Sequence, residues 1–152
     1  MLTREDLKKI EEETIIFFKK MSFTVEAKAI LEDETLVVNI KTDEPRVLIG
    51  ERGTILACVE RLLKAILQKK LGQEFYLNAD INEYKKKKAQ YLRELAEEVA
   101  DRVALTKEEE SLPAMSSFER RIVHLQLALR PDIKTESIGE EPERRVIVKP
   151  NL

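Results

Sequence analysis

The chain has 152 residues, of which 43% are hydrophobic and 37% charged, with a formal net charge of −2. That balance suits one ordinary domain or two small ones and argues against disorder and against a polycation that coats nucleic acid. A single cysteine, Cys58, and a single histidine, His124, exclude an intrachain disulfide and a zinc cage, and no apolar run is long enough to span a bilayer. The first residues lack the basic-then-apolar layout of a signal peptide. The expectation is a cytoplasmic protein without metal or cofactor.

Thr3 is placed to cap a first helix, with Glu5 and Asp6 in its first turn. Leu7, Ile10, Thr14, Phe17, Phe18 and Met21 then recur at helical spacing. Residues 23–30 alternate, with Phe23, Val25, Ala27 and Ala29 on one face. Residues 32–34 turn the chain, and residues 36–40 are β-branched and apolar, so the two runs predict an antiparallel hairpin. A short helical segment at residues 44–49 leads into Gly50-Glu51-Arg52-Gly53. The long helix that follows is expected to bury Ile55, Leu56, Val59, Leu62, Leu63, Ile66 and Leu67, and to end at Gly72 in a left-handed cap. Phe75, Leu77, Ala79 and Ile81 predict a further strand.

Asn82 is placed to cap the next helix, which extends to about Thr106. Its four consecutive lysines, residues 85–88, read as a solvated helix face in preference to a phosphate patch. Residues 107–110 form an exposed connection, and residues 111–115 are extended because Pro113 is poorly placed in a helix. Ser116 and Glu119 make a capping box for a helix from Ser117 to about Leu129, stopped by Pro131. Two extended runs, residues 133–138 and 144–148, flank the turn Gly139-Glu140-Glu141-Pro142. The order is α-β-β-α-α-β followed by α-β-α-β-β, an α+β chain without repeats or a long linker.

Two motifs carry chemistry. Gly50-x-x-Gly53 allows a tight turn and a close approach of backbone to a ligand, and the N–H groups at the following helix start favour an anion. Taken alone, the pair is better explained by a plain turn. In its context, Leu48-Ile49-Gly50-Glu51-Arg52-Gly53-Thr54-Ile55-Leu56 between a hairpin and a helix resembles the prokaryotic-type (type II) KH domain, over residues 1–81. The resemblance implies that Gly50, Glu51, Arg52 and Gly53 clamp the backbone of about four nucleotides, with Ile49, Thr54 and neighbouring apolar residues lining the groove for bases. Relatives often carry a basic residue directly after the first glycine; here that position is Glu51, which opposes phosphate and leaves Arg52 as the positive partner.

Arg120-x-x-x-His124 sets two side chains on one helix face, one turn apart. Taken without context, the pair is a surface contact, and His124 between Val123 and Leu125 reads equally as a satisfied, partly buried helix residue. The longer stretches, residues 113–124 and 135–146, resemble the R-three-H domain, named for this Arg-x-x-x-His signature, over residues 82–152. The KH module followed by this one resembles the bacterial Jag family, also called KhpB or SpoIIIJ-associated protein. The resemblance implies binding of single-stranded nucleic acid, with Arg120 and His124 as signature pair, Arg121 beside them, and Arg144 and Arg145 as basic positions. Strand alternation allows only one of Arg144 and Arg145 to face a common groove.

The expected function is binding of single-stranded RNA, with single-stranded DNA as a possible substitute, and no enzymatic activity, because no catalytic constellation is assembled. The family resemblance adds post-transcriptional regulation linked to the cell envelope or division, and a second small KH protein as partner. The alternative is a protein-interaction adaptor that binds nucleic acid weakly, suggested by Glu51 and the glutamate-rich surface. Many relatives carry a further N-terminal module, so the chain reads as either a short variant or a truncated one.

Overall fold

The computed structural model describes all 152 residues, and they form two compact units, Met1–Lys85 and Lys86–Leu152. The α+β class is as expected.

The first unit runs α1 (Arg4–Lys20), β1 (Val25–Glu32), β2 (Thr35–Thr42), α2 (Pro45–Ile49), a 3-10 turn at Glu51–Gly53, α3 (Thr54–Leu71) and β3 (Tyr76–Ile81). Thr3 caps α1 reciprocally: its hydroxyl accepts the Asp6 N–H at 3.1 Å and its own N–H donates to the Asp6 carboxylate at 2.8 Å. β1 and β2 pair antiparallel across a two-residue turn whose Asp33 and Glu34 both have positive φ, the turn pattern that matches strand twist. β3 joins β2 in parallel, giving the sheet order β1-β2-β3. A parallel pair needs a crossover, and α2 and α3 supply it. Ile10, Phe18, Leu36, Val38, Ile40, Leu56, Leu63, Leu67 and Ile81 fill a core between the helices and one sheet face.

The buried stripe of α3 is narrower than the apolar pattern suggests. Leu56, Val59, Leu63 and Leu67 are buried, whereas Ile55 and Leu62, expected with them, stay 44% and 53% exposed. The reason is angular. At 100° per residue Ile55 and Leu62 lie on the flank of the stripe, together with Cys58, which is also exposed.

The chain beyond Ile81 also departs from expectation. Asn82 does not cap the following helix, α4 (Tyr84–Thr106). It takes φ 49°, and its amide exchanges two 2.9 Å hydrogen bonds with the backbone of Thr42. The side chain is thereby used up in tying the connection to β2. Asp80 accepts the N–H of Lys85 instead, at 2.9 Å.

The second unit holds the rest of α4, then β4 (Glu110–Ser111), α5 (Ser117–Leu127), β5 (Ile133–Ile138) and β6 (Arg145–Pro150). Its sheet has the antiparallel order β4-β6-β5. Ser116 caps α5 by accepting the Glu119 N–H at 3.2 Å and donating its hydroxyl to the Glu119 carboxylate at 3.0 Å. Leu92, Ala96, Val99, Val103, Val123, Leu127, Val146 and Val148 form the core. Arg130, just past α5, binds Glu97 and Asp101 of α4 and grips Asp132 through two bonds of 3.1 and 2.8 Å. Those carboxylates hold its guanidinium firmly protonated.

No helix is long and apolar enough to cross a membrane.

Candidate nucleic-acid interface

The first candidate site is the turn between α2 and α3. Gly50 takes φ 74° and ψ −179°, a region open essentially to glycine alone, and Gly53 takes φ 76°. Arg52 is left-handed at φ 56°, an uncommon and costly state for a residue with a side chain. Gly50 N–H donates to the Arg46 carbonyl at 3.0 Å and Gly53 N–H to the Gly50 carbonyl at 3.3 Å. Thr54 fastens the end, its hydroxyl donating to the Glu51 carbonyl at 2.9 Å.

Glu51, Arg52 and Thr54 are exposed. Ile49 belongs to the core of the first unit, with only 9% of its surface exposed, and offers little to a groove. Exposed apolar surface near the turn comes instead from Val47, 56% exposed, and from the α3 flank of Ile55, Cys58 and Leu62. The sequence pattern contains this flank, but periodicity alone assigns it to the core.

Packing adds to φ at both glycines, severely at Gly50 and mildly at Gly53. A Cβ on Gly50 would lie 2.6 Å from Cγ1 of Ile55, and a Cβ on Gly53 would lie 3.1 Å from Cε2 of Tyr84.

The second candidate site lies on α5 and β5. His124 Nδ1 is 2.7 Å from the Thr135 hydroxyl and Nε2 is 2.7 Å from the Ser137 hydroxyl. Thr135 and Ser137 are two apart on β5 and share the face that pairs with Val148 and Val146, so both meet the ring from the core side of the sheet. A neutral ring has one donor and one acceptor, so one hydroxyl donates a hydrogen bond to it and the other accepts one from it. Burial, aided by the charge of Arg120, holds the ring below the ordinary histidine pKa.

Arg120 turns inward, with only 8% of its surface exposed. Its Nη1 donates to the Met115 carbonyl at 2.7 Å and to the Glu141 carboxylate at 2.9 Å. It anchors the segment before α5 to the loop between β5 and β6. Arg121, its neighbour, points to solvent.

The two remaining arginines diverge. Arg144 precedes β6 and donates to the Gly139 carbonyl at 2.7 Å. Arg145 lies on the sheet face opposite Val146 and Val148, hence opposite His124, and its Nε donates to the Ser111 hydroxyl at 2.8 Å. The structure therefore brings Arg120 and His124 together and sets Arg145 on the other face.

The comparisons with known proteins bear on the second of these regions. Residues 90–150 match the R-three-H domain family. The chain is 34% identical over 116 residues to the RNA-binding protein KhpB of Clostridium symbiosum, covering 76% of this chain and 52% of that protein. It is 33% identical over 117 residues to the KhpB of Bacillus subtilis, covering 76% and 56% respectively. A longer match, 25% identical over 150 residues, is to the KhpB of Streptococcus pneumoniae, covering 96% of this chain and 46% of that protein. The chain thus spans about half the length of the relatives it matches. Over the residues that these alignments cover, the chain is similar to the KhpB (Jag) proteins, the resemblance its motifs carried, and its residues 90–150 match the R-three-H domain.

Proposed function

We propose that the chain binds single-stranded RNA through two modules, a KH module at residues 1–81 and an R-three-H module at residues 82–152, and carries out no chemistry on it. The observation that carries this reading is the preset backbone of the Gly50–Gly53 turn. It is bent by two glycines and opens directly into the 18-residue helix α3. A turn that has already adopted its unusual conformation loses little entropy when a sugar-phosphate path is laid against it. Arg52 supplies positive charge, and Glu51 subtracts from it. Val47, Ile55 and Leu62 offer bases an apolar floor, while Gly53 and Thr54 fix the helix start where a phosphate rests.

In the second module Arg120 and His124 form the signature contact, with Arg121 the exposed charge beside them. Arg144 and Arg145 extend positive charge around the sheet edge. Each module alone is a weak binder, and joining two weak contacts raises the effective concentration of the second. The family names of the relatives support RNA as the ligand; single-stranded DNA offers the same phosphates without the 2′-hydroxyl. A cytoplasmic role as a post-transcriptional regulator tied to the envelope or to division, with a second small KH protein as partner, completes the reading.

One observation favours the adaptor alternative. Glu51 stands at the turn, and Glu141 already neutralises Arg120, so both candidate contacts carry an acid. Fluorescence anisotropy with short single-stranded RNA separates the two readings: saturable binding that Arg52→Asp weakens supports the clamp, and absence of binding promotes the adaptor.

A further inference from the structure

We propose that Tyr84 is a positioning residue for the Gly50–Gly53 turn, its ring serving as the brace that keeps Gly53 in its left-handed conformation. The inference rests on the RNA-binding reading for its functional consequence, but the brace itself is a claim about the unliganded protein.

The turn is fastened at its two ends, by the Gly50 N–H on the Arg46 carbonyl and by Thr54 on the Glu51 carbonyl, but its middle is weakly held. Gly50, Arg52 and Gly53 all have positive φ, and the bond from the Gly53 N–H to the Gly50 carbonyl is long at 3.3 Å. Positive φ costs the glycines little, but they are free to leave it, and the strained Arg52 between them persists in it only when the surroundings impose it. One side of the turn is backed by Ile55, which leaves no room for a Cβ on Gly50. The other side is backed by Tyr84, whose Cε2, Oη and Cζ would lie 3.1, 3.6 and 3.7 Å from a Cβ on Gly53.

Tyr84 is itself held in place. Its half-buried ring packs on the core of the first unit. The residues around it are tied down on both sides. Asn82 donates its N–H to the Ile40 carbonyl at 2.8 Å and binds Thr42 through its amide. Lys85 reaches Glu60 of α3 and the Asn78 side chain of β3, and its N–H is taken by Asp80. A segment clamped to β2, β3 and α3 therefore delivers one aromatic ring to Gly53. The consequence follows from population arithmetic: if losing the ring reduces the binding-competent turn to about a tenth, apparent affinity falls about tenfold.

The test uses the full chain with Tyr84→Leu and Tyr84→Phe, read by residue-resolved amide hydrogen exchange and by anisotropy with short single-stranded RNA. In Tyr84→Leu the Gly53 amide is expected to exchange at least about tenfold faster, with Val38 in β2 unchanged, and RNA affinity to drop about tenfold. Tyr84→Phe keeps the ring and is expected to hold both Gly53 exchange and RNA affinity closer to native than Tyr84→Leu does. Unchanged Gly53 exchange in Tyr84→Leu overturns the brace, whatever RNA does. A rise shared equally by Val38 also overturns it, because Tyr84 would then be ordinary core. Faster Gly53 exchange in a protein whose native form binds no RNA leaves the brace standing and removes the RNA-binding reading.

Discussion

Arg120 and Glu141 form an ion pair of 2.9 Å in which the arginine is buried and the carboxylate is more than half exposed. The asymmetry matters. The arginine cannot leave without abandoning the Met115 carbonyl, whereas the glutamate sits on a loop and can swing into solvent. A phosphate approaching Arg120 therefore competes with Glu141.

Glu141→Gln keeps the shape and removes the charge. Its affinity for single-stranded RNA should rise about two- to fivefold, the range set by a partly exposed pair. Glu140→Gln deletes the same charge from the same loop without touching Arg120, so it measures the general electrostatic gain to be subtracted. Equal effects of the two would show that Glu141 does not compete for Arg120. Arg120→Ala is a poor probe by comparison, because it leaves the Met115 carbonyl without its partner and costs stability as well as any contact.

Gly50→Ala should destabilise the first unit by about 1–3 kcal/mol, combining an unfavourable φ with a Cβ forced against the stiff β-branched Ile55. Gly72→Ala is the milder comparison, in the ordinary left-handed region. Gly72 also has positive φ, but nothing lies within 4 Å of an added Cβ, so only the conformational cost of about 1 kcal/mol applies. Urea denaturation of both variants checks the difference. Equal losses would remove Ile55 from the account.

His124 predicts a pH dependence. Its folded-state pKa lies below the ordinary value, so between the folded and unfolded pKa values the unfolded chain binds more protons. Stability from this group is then complete above about pH 6.5 and falls as pH drops through the unfolded value. The melting temperature of the native chain should decline on acidification from about pH 7.5 to about pH 5.5 more than that of His124→Gln. Parallel profiles would contradict the assigned direction.

Much of this architecture is legible in the sequence because local chemistry agrees with tertiary packing. Thr3 with Asp6 and Ser116 with Glu119 mark helix starts, and alternation marks β1 and β3. Periodicity fails at Ile55 and Leu62. An apolar residue on the flank of a helix looks the same in sequence whether the neighbouring layer covers it or stops short. Local signals fail at Asn82 too, because a capping residue type is drawn into a longer-range tie to Thr42, 40 positions away. The inward turn of Arg120 and the approach of Tyr84 to Gly53 involve partners 21 and 31 positions distant, and nothing local in the sequence links either pair.

The most direct test of the central claim is the anisotropy of short single-stranded RNA titrated with the full chain at two salt concentrations, beside duplex RNA and single-stranded DNA. Arg52→Asp is the variant of choice because its side chain is exposed at the turn and the native fold should survive it. Saturable binding to the single strand that falls with salt, and weakens at least severalfold in Arg52→Asp with unchanged circular dichroism, is the predicted result. No binding at protein concentrations of about 100 micromolar, the weak end of non-specific association, would contradict it.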